Sequence, residues 1–151
     1  MEFRTISPQE RTPAQIHRLT TLWEASVRAT HHFLAPEDIP PIAAQMPQIL
    51  REIPSLTVVW DAQKGPVGFL GVAGHTLELL YLSPDHLGQG LGSRLFRHAM
   101  AQHYIAQITV NEENTQALDF YLRRSYRVHH RTPTDNQGRP YPILHLTLSC
   151  Y

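Results

Sequence analysis

Residues 77–95, LELLYLSPDHLGQGLGSRL, join an apolar run to a glycine-rich loop and the start of an amphipathic segment. The run contains one carboxylate, Glu78, and the loop has glycine at every second position from Gly88 to Gly92. This order predicts a central strand covered on both faces, followed by a tight turn into a helix. A carboxylate in such a strand must be paired, hydrogen-bonded or directed at a wet cleft, because burying an isolated charge is costly.

The strand period leaves two interpretations of Glu78. A period of two residues places Glu78 on one face and its neighbours Leu77 and Leu79 on the other. A partly desolvated carboxylate on that face suits a general base near neutral pH. The structural alternative is a glutamate at the edge of the sheet in a salt bridge, and the strand alone leaves both open.

The glycine loop predicts a binding site for an anion. Glycine lets the backbone approach a ligand closely. Because the loop opens a helix, the unpaired N–H groups from Gln89 to Ser93 converge, and the helix dipole adds positive potential. That arrangement suits phosphate or pyrophosphate. The spacing matches neither the G-x-G-x-x-G of a dinucleotide site nor the Gly-Lys-Ser/Thr of a P-loop, and an ordinary strand-to-helix turn is the alternative.

A third informative segment, NEENTQALDFYLRRSY, covers residues 111–126. Asn114 is a suitable helix cap, and helical spacing places Asn114, Ala117 and Tyr121 on one face. Tyr121 is then either a buried core aromatic or a phenol that donates a proton in a cleft. The segment itself does not decide between these two interpretations of Tyr121.

The rest of the chain alternates strand and helix patterns with no internal repeat or linker. Thr12 and Pro13 mark the start of the first helix, and Pro47 is expected to interrupt a weaker second one. In chain order we predict a strand at 3–7, helices at 13–30 and 42–53, a hairpin of strands at 56–62 and 66–74, a strand at 75–83, a helix at 92–104, a strand at 106–110, a helix at 114–125, and strands at 126–132 and 141–149.

Composition narrows the class of protein. The 151 residues are expected to form one domain over 1–151, and Lys+Arg balances Asp+Glu at 13 each. A neutral chain does not favour nucleic acid or a membrane surface as a partner. The single cysteine, Cys150, excludes an intramolecular disulfide, and no apolar run approaches a membrane span or leader. We therefore expect a soluble cytoplasmic protein.

The histidines do not predict a metal site. The chain has ten of them, without an H-E-x-x-H motif or Cys/His ligand spacing. Successive strand residues face opposite ways, so His129 and His130 are not expected to share a metal ion. The sequence therefore predicts no metal.

Together these elements resemble the GNAT family of acyl-CoA-dependent N-acyltransferases, over nearly the whole chain. The stretches SVRATHHFL and GRPYPILHL further resemble its small bacterial single-domain YjaB-type branch. The resemblance implies an α/β (α+β) fold with a mixed, mostly antiparallel sheet of about seven strands, splayed after the fourth and flanked by about four helices. The family glycines of Arg/Gln-x-x-Gly-x-Gly/Ala and the run N-x-x-A-x-x-F-Y match Gly90, Gly92, Asn114, Ala117, Phe120 and Tyr121.

The resemblance implies an N-acetyltransferase that uses acetyl-CoA as co-substrate and acetylates a primary amine of a small molecule, peptide or protein. The amine would attack directly in a ternary complex, with Glu78 as base through water and Tyr121 as acid toward the CoA thiolate. His31, Phe33 and Tyr141 would border the acceptor, although His31 also suits a helix-end dipole contact and Tyr141 a rigid turn. The implied cofactor-binding residues are Leu80, Tyr81, Leu82, Leu87, Gly88, Gln89, Gly90, Leu91, Gly92, Ser93, Asn114, Ala117, Phe120 and Tyr121.

The chain departs from the family pattern at two positions. Leu87 replaces Arg or Gln, so we expect weaker CoA binding unless Arg94 or Arg123 compensates. Ser125 replaces glycine at a helix end that often requires a left-handed residue. Two alternatives to an N-acetyltransferase stay open. One is a non-catalytic CoA-binding sensor or regulatory module of the same fold, and the other is a nucleotide-binding enzyme that uses the same loop. The acceptor amine is open, as is the choice between monomer and homodimer.

Overall fold

The computed structural model describes residues 1–149, so Cys150 lies outside the described residues. It contains a seven-stranded sheet in the order β1-β2-β3-β4-β5-β7-β6. Every neighbouring pair is antiparallel except β4 and β5, which confirms the predicted mixed sheet. The elements are β1 (Glu2–Thr5), α1 (Pro13–Thr30), α2 (Ile39–Glu52), β2 (Ser55–Asp61), β3 (Gly65–Ala73), β4 (Thr76–Leu82), α3 (Leu91–Gln102), β5 (Gln107–Asn111), α4 (Thr115–Leu122), β6 (Tyr126–Thr132) and β7 (Ile143–Leu148).

The sheet splays open between β4 and β5. The two strands pair only where Thr76 meets Gln107 and Leu77 meets Ile108. β5 then continues against β7 as far as Asn111, while β4 continues against β3 as far as Leu82. The strands therefore diverge after a short parallel contact, as the family resemblance implied, and leave a cleft between them.

Helices cover both faces of the sheet around this cleft. One apolar cluster joins α1 and α2 to β2, β3 and β4, with Trp23, Leu50 and Phe69 among its buried members. The other joins α3 and α4 to the opposite face, around Leu95 and Ile108. Within residues 1–149, none of the helices has the length and apolarity that crossing a membrane requires.

A β-bulge in β4 changes the predicted side-chain pattern. Gly71 of β3 lies opposite Leu79 while Val72 lies opposite Leu77, so Glu78 is the extra residue in β4. As a result, Leu77 packs in the cluster beside α3, whereas Leu79 packs in the cluster beside α1 and α2. The prediction that Leu77 and Leu79 share a face was wrong, because it assumed an uninterrupted period of two.

The second helix is longer than the sequence predicted. It begins at Ile39 rather than residue 42 and runs through Pro47 to Glu52. An interior proline costs a helix about 3 kcal/mol through its missing N–H and a clash with the preceding turn. Here the helix buries Ile39, Met46 and Leu50, and this burial outweighs the cost.

Candidate active site

A cavity of about 270 Å³ lies where β4 and β5 diverge. Its walls come from α1, α2, β4, β5, α4 and the loop between β6 and β7. The cavity lining does not include Phe33, Leu82, Phe120 or the loop at 87–93. The cavity brings together eight of the predicted site residues: His31, Glu78, Leu80, Tyr81, Asn114, Ala117, Tyr121 and Tyr141.

Glu78 is an exposed carboxylate at this cavity. As the bulge residue of β4 it leaves the regular alternation of the strand and faces solvent. Among the described residues it has no ion pair or hydrogen bond. Glu78 is therefore neither desolvated nor in a salt bridge at the edge of the sheet, and of the predicted arrangements the wet cleft is the one observed. Its exposure leaves it free to exchange protons through water.

Tyr121 is both a core aromatic and a cavity residue. It is 5% exposed, and its ring centroid lies 6.1 Å from that of Phe96 and 5.4 Å from that of Phe120. Burial raises the pKa of the Tyr121 phenol well above its usual value, with Tyr81 and Tyr126 adding to the effect. The phenol consequently stays protonated throughout the physiological pH range, as a proton donor must.

His31 caps the C-terminus of α1 and is held in one tautomer. The Thr30 hydroxyl donates its hydrogen to the carbonyl of Ser26 at 2.7 Å. The same oxygen lies 2.7 Å from Nδ1 of His31, so Nδ1–H must be the donor in that contact. Nε2 of the neutral ring is then an acceptor. This role of Thr30 could not be predicted from the sequence, because it depends on the hydrogen bond to the Ser26 carbonyl one turn earlier.

Burial keeps His31 neutral. Desolvation, with a smaller contribution from His32, lowers the pKa of His31 to about 4. The helix dipole therefore does not hold an imidazolium at this position at neutral pH. A neutral imidazole in the cavity wall can accept a hydrogen bond from an ammonium group, whereas an imidazolium would repel it.

The depressed pKa of His31 makes stability depend on pH. The unfolded ring protonates near pH 6.5 but the folded ring only near 4, so unfolding takes up a proton between these values. Stability from this group is complete above pH 6.5 and is lost as the pH falls toward 4. Between pH 7 and 4.5 the wild type should lose about 2 kcal/mol more than His31→Gln, measured by urea unfolding. His32→Gln, at the exposed neighbour, is the control, and parallel curves for wild type and His31→Gln would contradict the prediction.

Tyr141 closes one end of the cavity by joining two loops. Its hydroxyl accepts a hydrogen bond from the Ala35 N–H at 2.9 Å and donates to Asp38 Oδ2 at 2.5 Å. The bond to Asp38 raises the pKa of the Tyr141 phenol. Phe33 packs between the rings of His31 and Tyr141, with centroids 5.3 and 6.3 Å away. Tyr141 therefore ties the β6–β7 loop to the α1–α2 connection.

The glycine loop has the open geometry that a phosphate requires. Gly88 and Gly90 adopt left-handed φ angles of 73° and 79°, and nothing lies within 4 Å of where a Cβ would project from either. The side-chain amide of Gln89 donates to the carbonyl of Asp85 at 2.9 Å and holds the loop. α3 begins directly after it, at Leu91. Backbone N–H groups at this helix start fit a pyrophosphate.

Comparison with known proteins identifies the family. Residues 54–128 match the acetyltransferase (GNAT) domain family. The peptidyl-lysine N-acetyltransferase YjaB of Salmonella typhimurium is 37% identical over 129 residues, which span 85% of this chain and 88% of that protein. The chain belongs to the GNAT family. It is an N-acetyltransferase, as the sequence resemblance implied.

Solved structures agree with this GNAT fold. The apo-form solution structure of YjaB from Escherichia coli superposes with a TM-score of 0.81 at 33% identity, covering 97% of this chain and 95% of that one. The PaiA N-acetyltransferase of Thermoplasma acidophilum, solved in complex with coenzyme A, shares the fold with a TM-score of 0.66 at 18% identity, covering 96% and 98%. The predicted YjaB-type branch is thereby confirmed.

Two GNAT motif positions also have structural roles. Asn114 Oδ1 accepts the N–H of Ala117 at 3.3 Å and caps α4, as predicted, which leaves its Nδ2 hydrogens for a ligand. Ser125 adopts a φ of 73°, the left-handed conformation that the family usually fills with glycine. It is the only non-glycine residue with positive φ in residues 1–149.

The two arginines expected to compensate for Leu87 in this GNAT chain each contact another residue. Leu87 is 40% exposed and offers no polar group. Arg94 stacks on Phe3, with its guanidinium carbon 5.1 Å from the ring centroid. Arg123 pairs with Asp119 at 2.7 Å and points outward.

The histidines on β6 and β7 share one face. A bulge between Val128 and His130 makes His129 the extra residue, and both His129 and His130 line one cavity with His145. The prediction that they face opposite ways was therefore wrong. Within residues 1–149, no three acidic, histidine or cysteine side chains cluster in a way that could hold a metal ion.

Proposed function

We propose that this enzyme acetylates the ε-amine of lysine in a peptide or protein, with acetyl-CoA as the acetyl donor. The observation that carries the proposal is that one cavity at the β4–β5 splay is lined by both Glu78 and Tyr121. The related YjaB of Salmonella typhimurium is named a peptidyl-lysine N-acetyltransferase, which supports the choice of acceptor. The apolar side chains of Trp23, Val27 and Met46 in the cavity wall suit the methylene chain of lysine.

The described residues fit the cofactor along one path. Beyond Leu77, the edge of β4 that faces β5 has no strand partner, so the backbone from Leu80 to Leu82 is available to the pantetheine amides. The loop from Gly88 to Ser93 would hold the pyrophosphate, and Asn114 Nδ2 would meet the pantetheine arm. Acetyl-CoA supplies an acetyl group activated as a thioester.

The reaction requires two proton transfers, and one residue serves each. A lysine ammonium has a pKa near 10.4 and must lose a proton before its nitrogen can attack. Glu78 accepts that proton through water, which its exposure permits. As the new C–N bond forms and the C–S bond breaks, the Tyr121 phenol donates its proton to the departing sulfur. A backbone N–H of β4 stabilises the negative charge that develops on the acetyl oxygen.

In this scheme His31 contacts the lysine amine that receives the acetyl group rather than acetyl-CoA. Its Nε2 accepts a hydrogen bond from the amine nitrogen, because Thr30 already fixes the proton on Nδ1. Phe33 and Tyr141 support the ring and the wall beside it. The amine is thus oriented before Glu78 removes its proton.

An acceptor panel tests the function. A peptide with one lysine and a blocked N-terminus is compared with the same peptide carrying arginine, with free lysine and with spermidine. Thiol release from acetyl-CoA should require the lysine peptide, and mass spectrometry should place the acetyl group on Nε. A higher kcat/KM for spermidine would overturn the lysine assignment. Acetyl-CoA binding without transfer to any amine would favour the non-catalytic module, and a Tm raised by ATP but not by CoA would favour a nucleotide-binding enzyme.

A further inference from the structure

Arg124 lies beside the glycine loop in a fixed conformation. Its guanidinium carbon lies 3.4 Å from the centroid of the Phe120 ring, and Nη1 donates to the Phe120 carbonyl at 2.9 Å. Its Nη2 donates to Ser93 Oγ, also at 2.9 Å. Ser93 belongs to the loop and first turn of α3 that carry the proposed pyrophosphate cradle. The family aromatic Phe120, outside the cavity lining, thus supports a cation next to the cradle.

The charge of Arg124 is not neutralised. Within residues 1–149 it has no carboxylate within ion-pair distance, in contrast to its neighbour Arg123, which pairs with Asp119. Arg97 follows Ser93 by one helical turn, on the same side of α3. Burial, together with the positive charges of Arg123 and Arg97, lowers the pKa of Arg124. An anion bound here would therefore relieve an existing repulsion.

We propose that Arg124 binds a phosphate group of coenzyme A and supplies the positive charge that Leu87 fails to provide. The inference rests on the proposed use of acetyl-CoA. An arginine has five N–H donors and the contacts to Phe120 and Ser93 use two, so three remain for phosphate oxygens. The ring and the two hydrogen bonds hold the planar group in place before the ligand arrives, which reduces the entropy lost on binding.

Calorimetric titration with CoA tests this role without depending on catalysis. Arg124→Gln should weaken the Kd for CoA at least tenfold, as expected for loss of a charge-assisted hydrogen bond to phosphate. The matched control is Arg123→Gln, at the adjacent arginine that already has a carboxylate partner, and its Kd should stay within about twofold of wild type. Thermal melting of each variant shows that it is folded.

Dephospho-CoA, which lacks the 3′-phosphate, identifies the phosphate concerned. If Arg124 contacts the pyrophosphate, Arg124→Gln weakens dephospho-CoA and CoA by the same factor. If it contacts the 3′-phosphate, wild type binds dephospho-CoA about tenfold more weakly than CoA, and the substitution has no further effect on that ligand. Either result supports a phosphate contact.

A second substitution tests the compensation directly. Leu87→Arg in the Arg124→Gln background restores a cation at the position where the family has Arg or Gln. The Kd of this double variant for CoA should be at least fivefold lower than that of Arg124→Gln alone. Equal affinity of wild type and Arg124→Gln for CoA, or an equal loss in Arg123→Gln, would overturn the inference. Failure of wild type to bind CoA at all would instead overturn the proposed function.

Discussion

Replacing Tyr121 by phenylalanine is expected to lower kcat by about 100-fold, the usual contribution of a positioned acid. The Kd for acetyl-CoA should stay within about twofold, because the ring contacts with Phe96 and Phe120 remain. The thiolate that leaves would then have to take its proton from water. Burial raises the pKa of the Tyr121 phenol, so the wild-type enzyme should keep its proton donor at alkaline pH as well.

Tyr126→Phe is the matched control for this variant. Tyr126 is also a buried phenol that packs near Tyr121, but its hydroxyl donates to the carbonyl of Ile105 at 2.6 Å and does not line the cavity. Its loss should reduce stability by about 1 kcal/mol and leave kcat unchanged. Stopped-flow detection of thiol release measures kcat for Tyr121→Phe and Tyr126→Phe, and urea unfolding measures the stability of each. Full turnover in a folded Tyr121→Phe enzyme would remove Tyr121 from the mechanism.

Glu78→Gln is expected to lower kcat/KM by about 100-fold at pH 7. The loss should shrink as the pH rises, because the lysine acceptor, with a pKa near 10.4, then supplies its own unprotonated amine. The variant should gain about tenfold per pH unit between pH 7 and 9, while the wild type gains much less. A pH profile of kcat/KM with the single-lysine peptide measures the difference.

Glu52→Gln, an exposed glutamate at the end of α2 outside the cavity, should match the wild type at every pH. The alternative base in the cavity is His31. If His31→Gln shows the alkaline rescue and Glu78→Gln does not, His31 removes the proton and Glu78 does not.

The motifs near the cleft could be predicted from the sequence because they depend on local chemistry. The Asn114 cap and the conformational freedom of the loop glycines follow from the local preferences of a few residues. The left-handed Ser125 follows from the family's glycine at that helix end. The order of strands and helices follows from periodicity in the same way. The family resemblance that these motifs carry implied that Glu78 and Tyr121 share one cleft, and both line the same cavity.

The features that could not be predicted depend on contacts between distant segments. The bulge at Glu78 is set by the register of β4 against Gly71 and Val72, which strand periodicity does not contain. The helix through Pro47 is set by burial of its apolar face. The contact of Arg124 with Ser93 depends on how α4 packs beside α3, and no local pattern around Leu87 contains that information.

A single-turnover experiment tests the central claim most directly, namely that the acetyl group passes from acetyl-CoA to lysine in one ternary complex. Enzyme in excess is mixed with acetyl-labelled acetyl-CoA, with and without the single-lysine peptide, then quenched and measured by mass spectrometry. The label should appear on the peptide Nε at the rate of thiol release, with none on the enzyme when peptide is absent. Label retained by the enzyme without peptide, or bound acetyl-CoA that never labels the peptide, would contradict the claim.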